Sequence, residues 1–217
     1  MTELICFEGG PFAENTWLVV SPAARRATLV DPGAATPEAL ALLDERGLTL
    51  DRVLLTHAHL DHIDGLPDVM SHSSVPVRMH PDDVPLYRNA TAQAAAFGLT
   101  IGVLPPVQSD LAHGQEIDLP GCRLVVRHVP GHAPGHVLFH CDAEGWAIVG
   151  DVVFRGSIGR TDLPGGDLRT LMASIRREVL SLPDDTRLLP GHGPETTVGW
   201  ERIGNPFLVP HYGGDLA

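Results

Sequence analysis

The stretch Arg52-Val53-Leu54-Leu55-Thr56-His57-Ala58-His59-Leu60-Asp61-His62 decides how the rest of the chain reads. Arg52–Thr56 is an apolar run of strand length, and it passes directly into His57-x-His59-x-Asp61-His62, a run dense in metal-capable side chains. A turn at a strand end aims alternate members of such a run in two directions, so one loop can serve two adjacent ion sites. The competing view is a solvated polar loop with incidental histidines. Even in a chain with 12 His among 217 residues, that spacing would arise by chance on the order of once in several hundred sequences.

Upstream of this loop, Leu4–Phe7, Trp17–Val20 and Ala27–Val30 read as strands of a meander, separated by the turn formers Gly9-Gly10-Pro11 and Ser21-Pro22. Thr36-Pro37-Glu38 predicts a helix with Thr36 as N-cap, Leu40 and Leu43 on one face and Gly47 as the stop. Downstream, a helix-like stretch runs through Met70, and Pro81–Ala96 reads as one helix or two. Strands then resume at Cys122–Val129, His136–Cys141 and Trp146–Val149. Each closes on a Gly- or Pro-rich loop carrying His or Asp, the strand-end placement that α/β proteins use for ligands. Asp167 predicts the cap of one long helix through Leu168, Leu171, Met172, Ile175 and Val179, and Arg187–Leu189 is a final strand delivering Pro190-Gly191-His192. Strand-rich halves each followed by helices point to a layered α/β sandwich.

Taken in order, these motifs resemble those of the metallo-β-lactamase superfamily: Asp31 in Leu29-Val30-Asp31-Pro32-Gly33, the His57–His62 run, His132 in Pro130-Gly131-His132, Asp151 in Gly150-Asp151, and His192 in Pro190-Gly191-His192. The resemblance implies an α/β, four-layer αββα sandwich forming a single domain over residues 1–217. It also implies two divalent metal ions, zinc foremost with iron or manganese as alternatives. His57, His59 and His132 would hold the first ion, Asp61, His62 and His192 the second, and Asp151 would bridge both. By the same resemblance Asp61 is the catalytic residue, orienting a metal-bound hydroxide for attack, and Asp31 orders the metal loop without being a ligand.

The branch is narrowed by further segments. His59 stands where di-iron oxygen reductases carry Glu, no flavin domain is evident, and neither a metal-positioned Cys nor a secretion signal supports the secreted β-lactam-hydrolysing branch. Pro130–His136 and Gly150–Asp162 look like glyoxalase II-type thioester hydrolases, and residues 190–207 resemble the short bacterial glyoxalase II-like group. Only Leu208–Ala217 follow, so no separate C-terminal glutathione-binding domain is expected. The implied substrate is a small-molecule thioester such as S-lactoylglutathione. A thiol of pKa about 8.5 leaves as thiolate without an acid to protonate it, so a metal-only site suffices. The Gly159–Asp162 run also resembles persulfide dioxygenases, which would imply one Fe²⁺ on His57, His132 and Asp151. A metal-stabilised, non-enzymatic binding domain is the third reading and would need a closed metal shell.

Composition sets the remaining expectations. All 15 basic residues are Arg, against 27 acidic ones, for a net charge of −12. Such a surface repels phosphate backbones, so nucleic acid is not an expected partner. No apolar run approaches a membrane span and no signal peptide precedes the first strand, which predicts a cytoplasmic protein. Cys6, Cys122 and Cys141 are expected as buried free thiols. Arg155 and Arg160 are candidates to hold a substrate carboxylate, Phe154 and Ile158 to bind substrate or a second copy, and His136 to support the metal loop or donate to backbone. His72, His80, His113, His128, His140 and His211 carry no motif and are expected to be surface or structural.

Overall fold

The computed structural model describes residues 1–209; His211 lies outside them. A first sheet runs β1 (Glu3–Gly9), β2 (Glu14–Ser21), β3 (Arg26–Val30), β4 (Thr49–Leu54) and β5 (Val77–Arg78) in spatial as well as chain order. Strands β1 to β3 pair antiparallel, and β3 to β5 pair parallel. Helices α1 (Thr36–Arg46) and α2 (Leu66–His72) supply the parallel crossovers. Helices α3 (Val84–Arg88) and α4 (Ala90–Ala96) follow, so the Pro81–Ala96 segment is two helices behind a short 3₁₀ turn at Pro81–Asp83.

The second sheet contains β6 (Glu116–Leu119), β7 (Cys122–His128), β8 (Val137–Cys141) and β9 (Trp146–Gly150). A separate hairpin of β10 (Val153–Phe154) and β11 (Ser157–Ile158) follows, then α5 (Leu168–Ser174), β12 (Arg187–Pro190), β13 (Thr196–Thr197) and α6 (Val198–Gly204). The six-stranded order is β13-β12-β9-β8-β7-β6, with β12 parallel to β9.

The alternation of side chains along each strand explains the layers. Along β2, Leu18 and Val20 pack toward α1 and α2, whereas Trp17 and Val19 face the second sheet. Along β9, Trp146 and Ile148 enter that same inter-sheet core, whereas Ala147 and Val149 pack with Leu171 and Ile175 on the outer face. Three apolar seams therefore separate four layers, helix–sheet–sheet–helix. Among the described residues no helix is long and apolar enough to cross a membrane.

Several local expectations are corrected. Thr36 is the first helical residue and buried, and Ala35 takes the cap position without a side-chain bond. Asp167 does cap α5, accepting from the Thr170 N–H at 2.7 Å, but the helix widens into a π-turn at Ile175–Val179. All three cysteines are free, as expected, yet Cys6 is exposed and Cys122 half-buried, and only Cys141 lies in the core.

Candidate metal centre

Five loops meet at one edge of the sandwich, each leaving the C-terminal end of a strand: Asp31 after β3, the His57–His62 loop after β4, His132 after β7, Asp151 after β9 and His192 after β12. Cross-sheet bonds hold the two halves in register at this edge. The Val137 N–H donates to Thr56 O, and the Asn15 N–H to Gly191 O, both at 2.8 Å. The Trp17 indole and the Asn15 side chain both donate to Pro190 O at 3.0 Å. The last loop needs glycine at 191, because a Cβ there would overlap Asp151 Oδ1 and crowd the His62 ring.

The seven sequence-predicted residues come together as two adjoining sets. His57, His59 and His132 form one, with ring centroids 4.5–4.9 Å apart. Asp61, His62 and His192 form the other, with His192 Nε2 3.3 Å and His62 Nε2 3.9 Å from Asp61 Oδ2. Each set offers ligand atoms within 4.8 Å of one another. Asp151 lies between them: Oδ2 is 3.5 Å from His132 Nε2 and 3.4 Å from His192 Nε2, and Oδ1 is 3.4 Å from His62 Nε2.

The outward nitrogens are tied down, which fixes what the inward ones can do. His132 Nδ1 donates to Arg160 O at 2.7 Å and His192 Nδ1 to Phe12 O at 3.0 Å. A carbonyl can only accept, so both rings carry a proton on Nδ1 and turn Nε2 toward the centre. Asp31 does the same for the first loop. It accepts from the Thr56 N–H (2.7 Å), the Thr56 hydroxyl (2.6 Å) and His62 Nδ1 (3.1 Å), and the Thr56 hydroxyl in turn accepts from His57 Nδ1 at 3.0 Å. With its carboxylate so occupied on the outer side, Asp31 orders the loop.

The donor set fits transition-metal ions. Nε2 of His57 and His62 and Oδ1 of Asp151 are buried without any hydrogen-bond partner, and His59 turns its Nδ1 to His132 Nε2 at 2.8 Å. Leaving such buried groups unpaired is costly unless a cation is held among them. Burial first, then the neighbouring imidazoles, hold His57 far below the usual imidazole range, and the same causes lower His59 to about 3. Both are therefore neutral, the ligating form. In the other set burial opposes charge but loses: hydrogen bonds to Asp151 and Asp61 lift His192 to about 10, and His62 and His192 keep Asp151 well below the usual carboxylate range.

Three further residues support the centre, of which Asp83 and Glu14 carried no sequence signal and His136 was a candidate. Asp83, buried in the turn before α3, accepts from the Ala58 N–H at 3.0 Å and the Gly135 N–H at 2.5 Å, clamping the His57–His62 loop to the loop that carries His132. Glu14 is buried beside His62, its Oε2 accepting from Thr16 Oγ1 at 3.0 Å, and burial raises its carboxyl well above the usual range. His136 is buried and stacks on His57 at 4.6 Å; its Nε2 accepts from the Asp151 N–H at 3.0 Å, so it is an acceptor of backbone and not the expected donor. Among the histidines without motif support, His80 and His128 stack on each other at 4.1 Å, and His72 pairs with Asp44 at 3.0 Å.

Above the centre opens a cleft of about 340 Å³. His59, Asp61, His132, Asp151 and His192 form its polar floor, and Phe154 and Ile158 both line it. Arg160 also lines it but is engaged by Asp162 through two bonds of 2.7 and 2.8 Å, whereas Arg155 lies over the Trp200 ring at 5.5 Å.

A four-layer sandwich with this His/Asp cluster at the strand ends defines a class, and the chain belongs to the metallo-beta-lactamase superfamily, whose family model matches residues 9–192. It is similar to the hydroxyacylglutathione hydrolase GloC of Haemophilus influenzae, 38% identical over 85% of this chain and 88% of that one. A probable metallo-hydrolase of Bacillus subtilis, YqgX, is 36% identical over 92% of this chain and 94% of its own length. Among solved structures, TTHA1623 in a di-iron-bound form superposes with a TM-score of 0.85 at 44% identity, covering 94% of this chain and all of that one.

Proposed function

We propose that the chain is a metal-dependent hydrolase of small-molecule thioesters. The observation that carries this reading is the meeting of two three-residue His/Asp sets, each with ligand atoms within 4.8 Å of one another, with Asp151 within reach of both. His57, His59 and His132 would hold one divalent ion and Asp61, His62 and His192 a second, with Asp151 in reach of both. Zinc suits this imidazole–carboxylate set, and iron and manganese are the alternatives. When bound, the ions polarise the acyl carbonyl and make water acidic enough to attack at neutral pH.

The chain's own residues do the rest. Asp61, part-exposed at the cleft floor, accepts a hydrogen bond from the attacking water and sets its direction toward the acyl carbon. In the overall reaction a C–O bond forms and the C–S bond breaks; the electron pair leaves on sulfur, and water supplies the acid's hydroxyl and the thiol's proton. Because a thiol of pKa about 8.5 departs as thiolate, the leaving group needs no proton from a side chain. The similarity to a hydroxyacylglutathione hydrolase supports the thioester bond as the one attacked.

The test is thiol release from S-lactoylglutathione by metal-loaded protein under anaerobic conditions, with His59→Ala as the blank. Release by the wild type and silence of the variant support the reading. A protein with both sets loaded that releases no thiol overturns it, and dioxygen uptake with a persulfide would then point to the one-iron alternative.

A further inference from the structure

The walls of the cleft differ sharply from its floor. Phe12, at the tip of the β1–β2 turn, meets Phe97 just beyond α4 edge-to-face, with ring centroids 5.2 Å apart. Phe154, 5.9 Å from the His192 ring, Ile158 and Leu163 line the same cleft. Phe12 is also fixed to the centre, since its carbonyl takes the His192 Nδ1 proton. This ring is therefore part of the site's frame and not a stray apolar side chain on a loop.

The two largest polar side chains of the walls, Arg160 and Gln93, are already engaged. Arg160 is the one arginine lining the cleft among the described residues, and Asp162 pairs with it along its Nε–Nη2 edge. The Gln93 amide donates to Ala58 O and Leu86 O at 3.0 and 2.9 Å, leaving no amide proton for a ligand. An acyl group carrying a carboxylate would enter a chain of net charge −12 and meet, as the only arginine among the cleft-lining residues described, one already paired with Asp162. An apolar one would bury its surface against three aromatic rings.

We propose that the acyl group accepted by this cleft is bulky and apolar, an aryl or arylalkyl group seated against Phe12, Phe97, Phe154 and Ile158. The proposal rests on the thioester hydrolase reading and names its substrate class.

The experiment holds the thiol constant and varies only the acyl group: kcat/KM of the metal-loaded chain for S-phenylacetylglutathione, S-lactoylglutathione and S-succinylglutathione. Burying one ring predicts a preference for phenylacetyl over lactoyl on the order of tenfold or more, with succinyl slowest. Phe97→Ala, at a side chain 48% exposed and hence safe for folding, should reduce the phenylacetyl-to-lactoyl ratio at least threefold. Equal rates, a preference for lactoyl or succinyl, or a ratio unchanged by Phe97→Ala overturns the proposal while the hydrolase reading stands. If the metal-loaded chain cleaves none of the three, the hydrolase reading itself has failed and the acyl assignment falls with it.

Discussion

Replacing Asp83 with Ala should damage the metal centre from a distance, although Asp83 belongs to neither set. Its two carboxylate oxygens accept from the backbone N–H of Ala58, between His57 and His59, and of Gly135, next to His136. Burial pushes its carboxyl up to about 6, with the two N–H bonds working the other way, so above pH 7 it is the ionised acceptor. Truncation strands two buried donors, each costing about 1–3 kcal/mol, for a total of about 2–6 kcal/mol. In a domain of this size each kcal/mol moves Tm by about 2–4 °C, so a fall on the order of 5–20 °C follows. The clamp also fixes the loops bearing His59 and His132, so affinity for zinc should fall about 10–100-fold, as it does when partners of ligating residues are removed. Thermal unfolding at pH 8 and zinc competition against a chromogenic chelator measure the two effects. A Tm within 2 °C of wild type together with unchanged zinc affinity would show that Asp83 does not clamp these loops.

Asp31→Ala should lower ion affinity more than Asp31→Asn, since Asn keeps one oxygen for Thr56 and tolerates the left-handed φ of 50° at this position; equal losses in a calorimetric titration would contradict this. Stripping the ions should lower Tm, because a ligand at about 1,000 times its Kd contributes about 4 kcal/mol to the folded state; a chelator-treated protein melting with the loaded one would show that the centre is not an ion site. Arg160→Ala should change stability by less than about 1 kcal/mol, since its pair with Asp162 is solvent-exposed, and urea denaturation measures this. Burial foremost, and then Cys141, raise the Cys122 thiol from 9.0 to about 12. Its thiolate is then about a thousandfold scarcer at pH 8 than that of a free thiol, so alkylation should be slow and climb about tenfold per pH unit to about pH 11. Fast alkylation of Cys122 at pH 8, located by peptide mapping, would contradict that environment.

The strand ends were legible because two signals coincide there: a short apolar run and an abrupt change to His, Asp and Gly. The alternation of Trp17, Leu18, Val19 and Val20 looks like a plain apolar run because both faces of β2 are buried, so the layers follow from the run's length and flanks and not from its period. The break in the last long helix was not legible. Leu171, Ile175 and Val179 keep an apolar face through the π-turn, and nothing in their spacing marks the widened backbone. Asp83 and Glu14 escaped for another reason. A lone carboxylate in a loop reads as solvated, and only the fold reveals that it is buried against donors brought from 25 and 52 residues away, in the case of Asp83. The Arg155 and Arg160 candidates show the converse, since the residues that engage them, Trp200 and Asp162, become visible only when the loop is closed.

The most direct test of the account is the number of ions each chain binds, measured by native mass spectrometry as zinc is titrated into metal-free protein. Two ions per chain in the wild type, falling to one in His192→Ala with the His57–His59–His132 set still filled, is the expected result. A wild type that saturates at one ion, with His192→Ala indistinguishable from it, would contradict the two-ion centre.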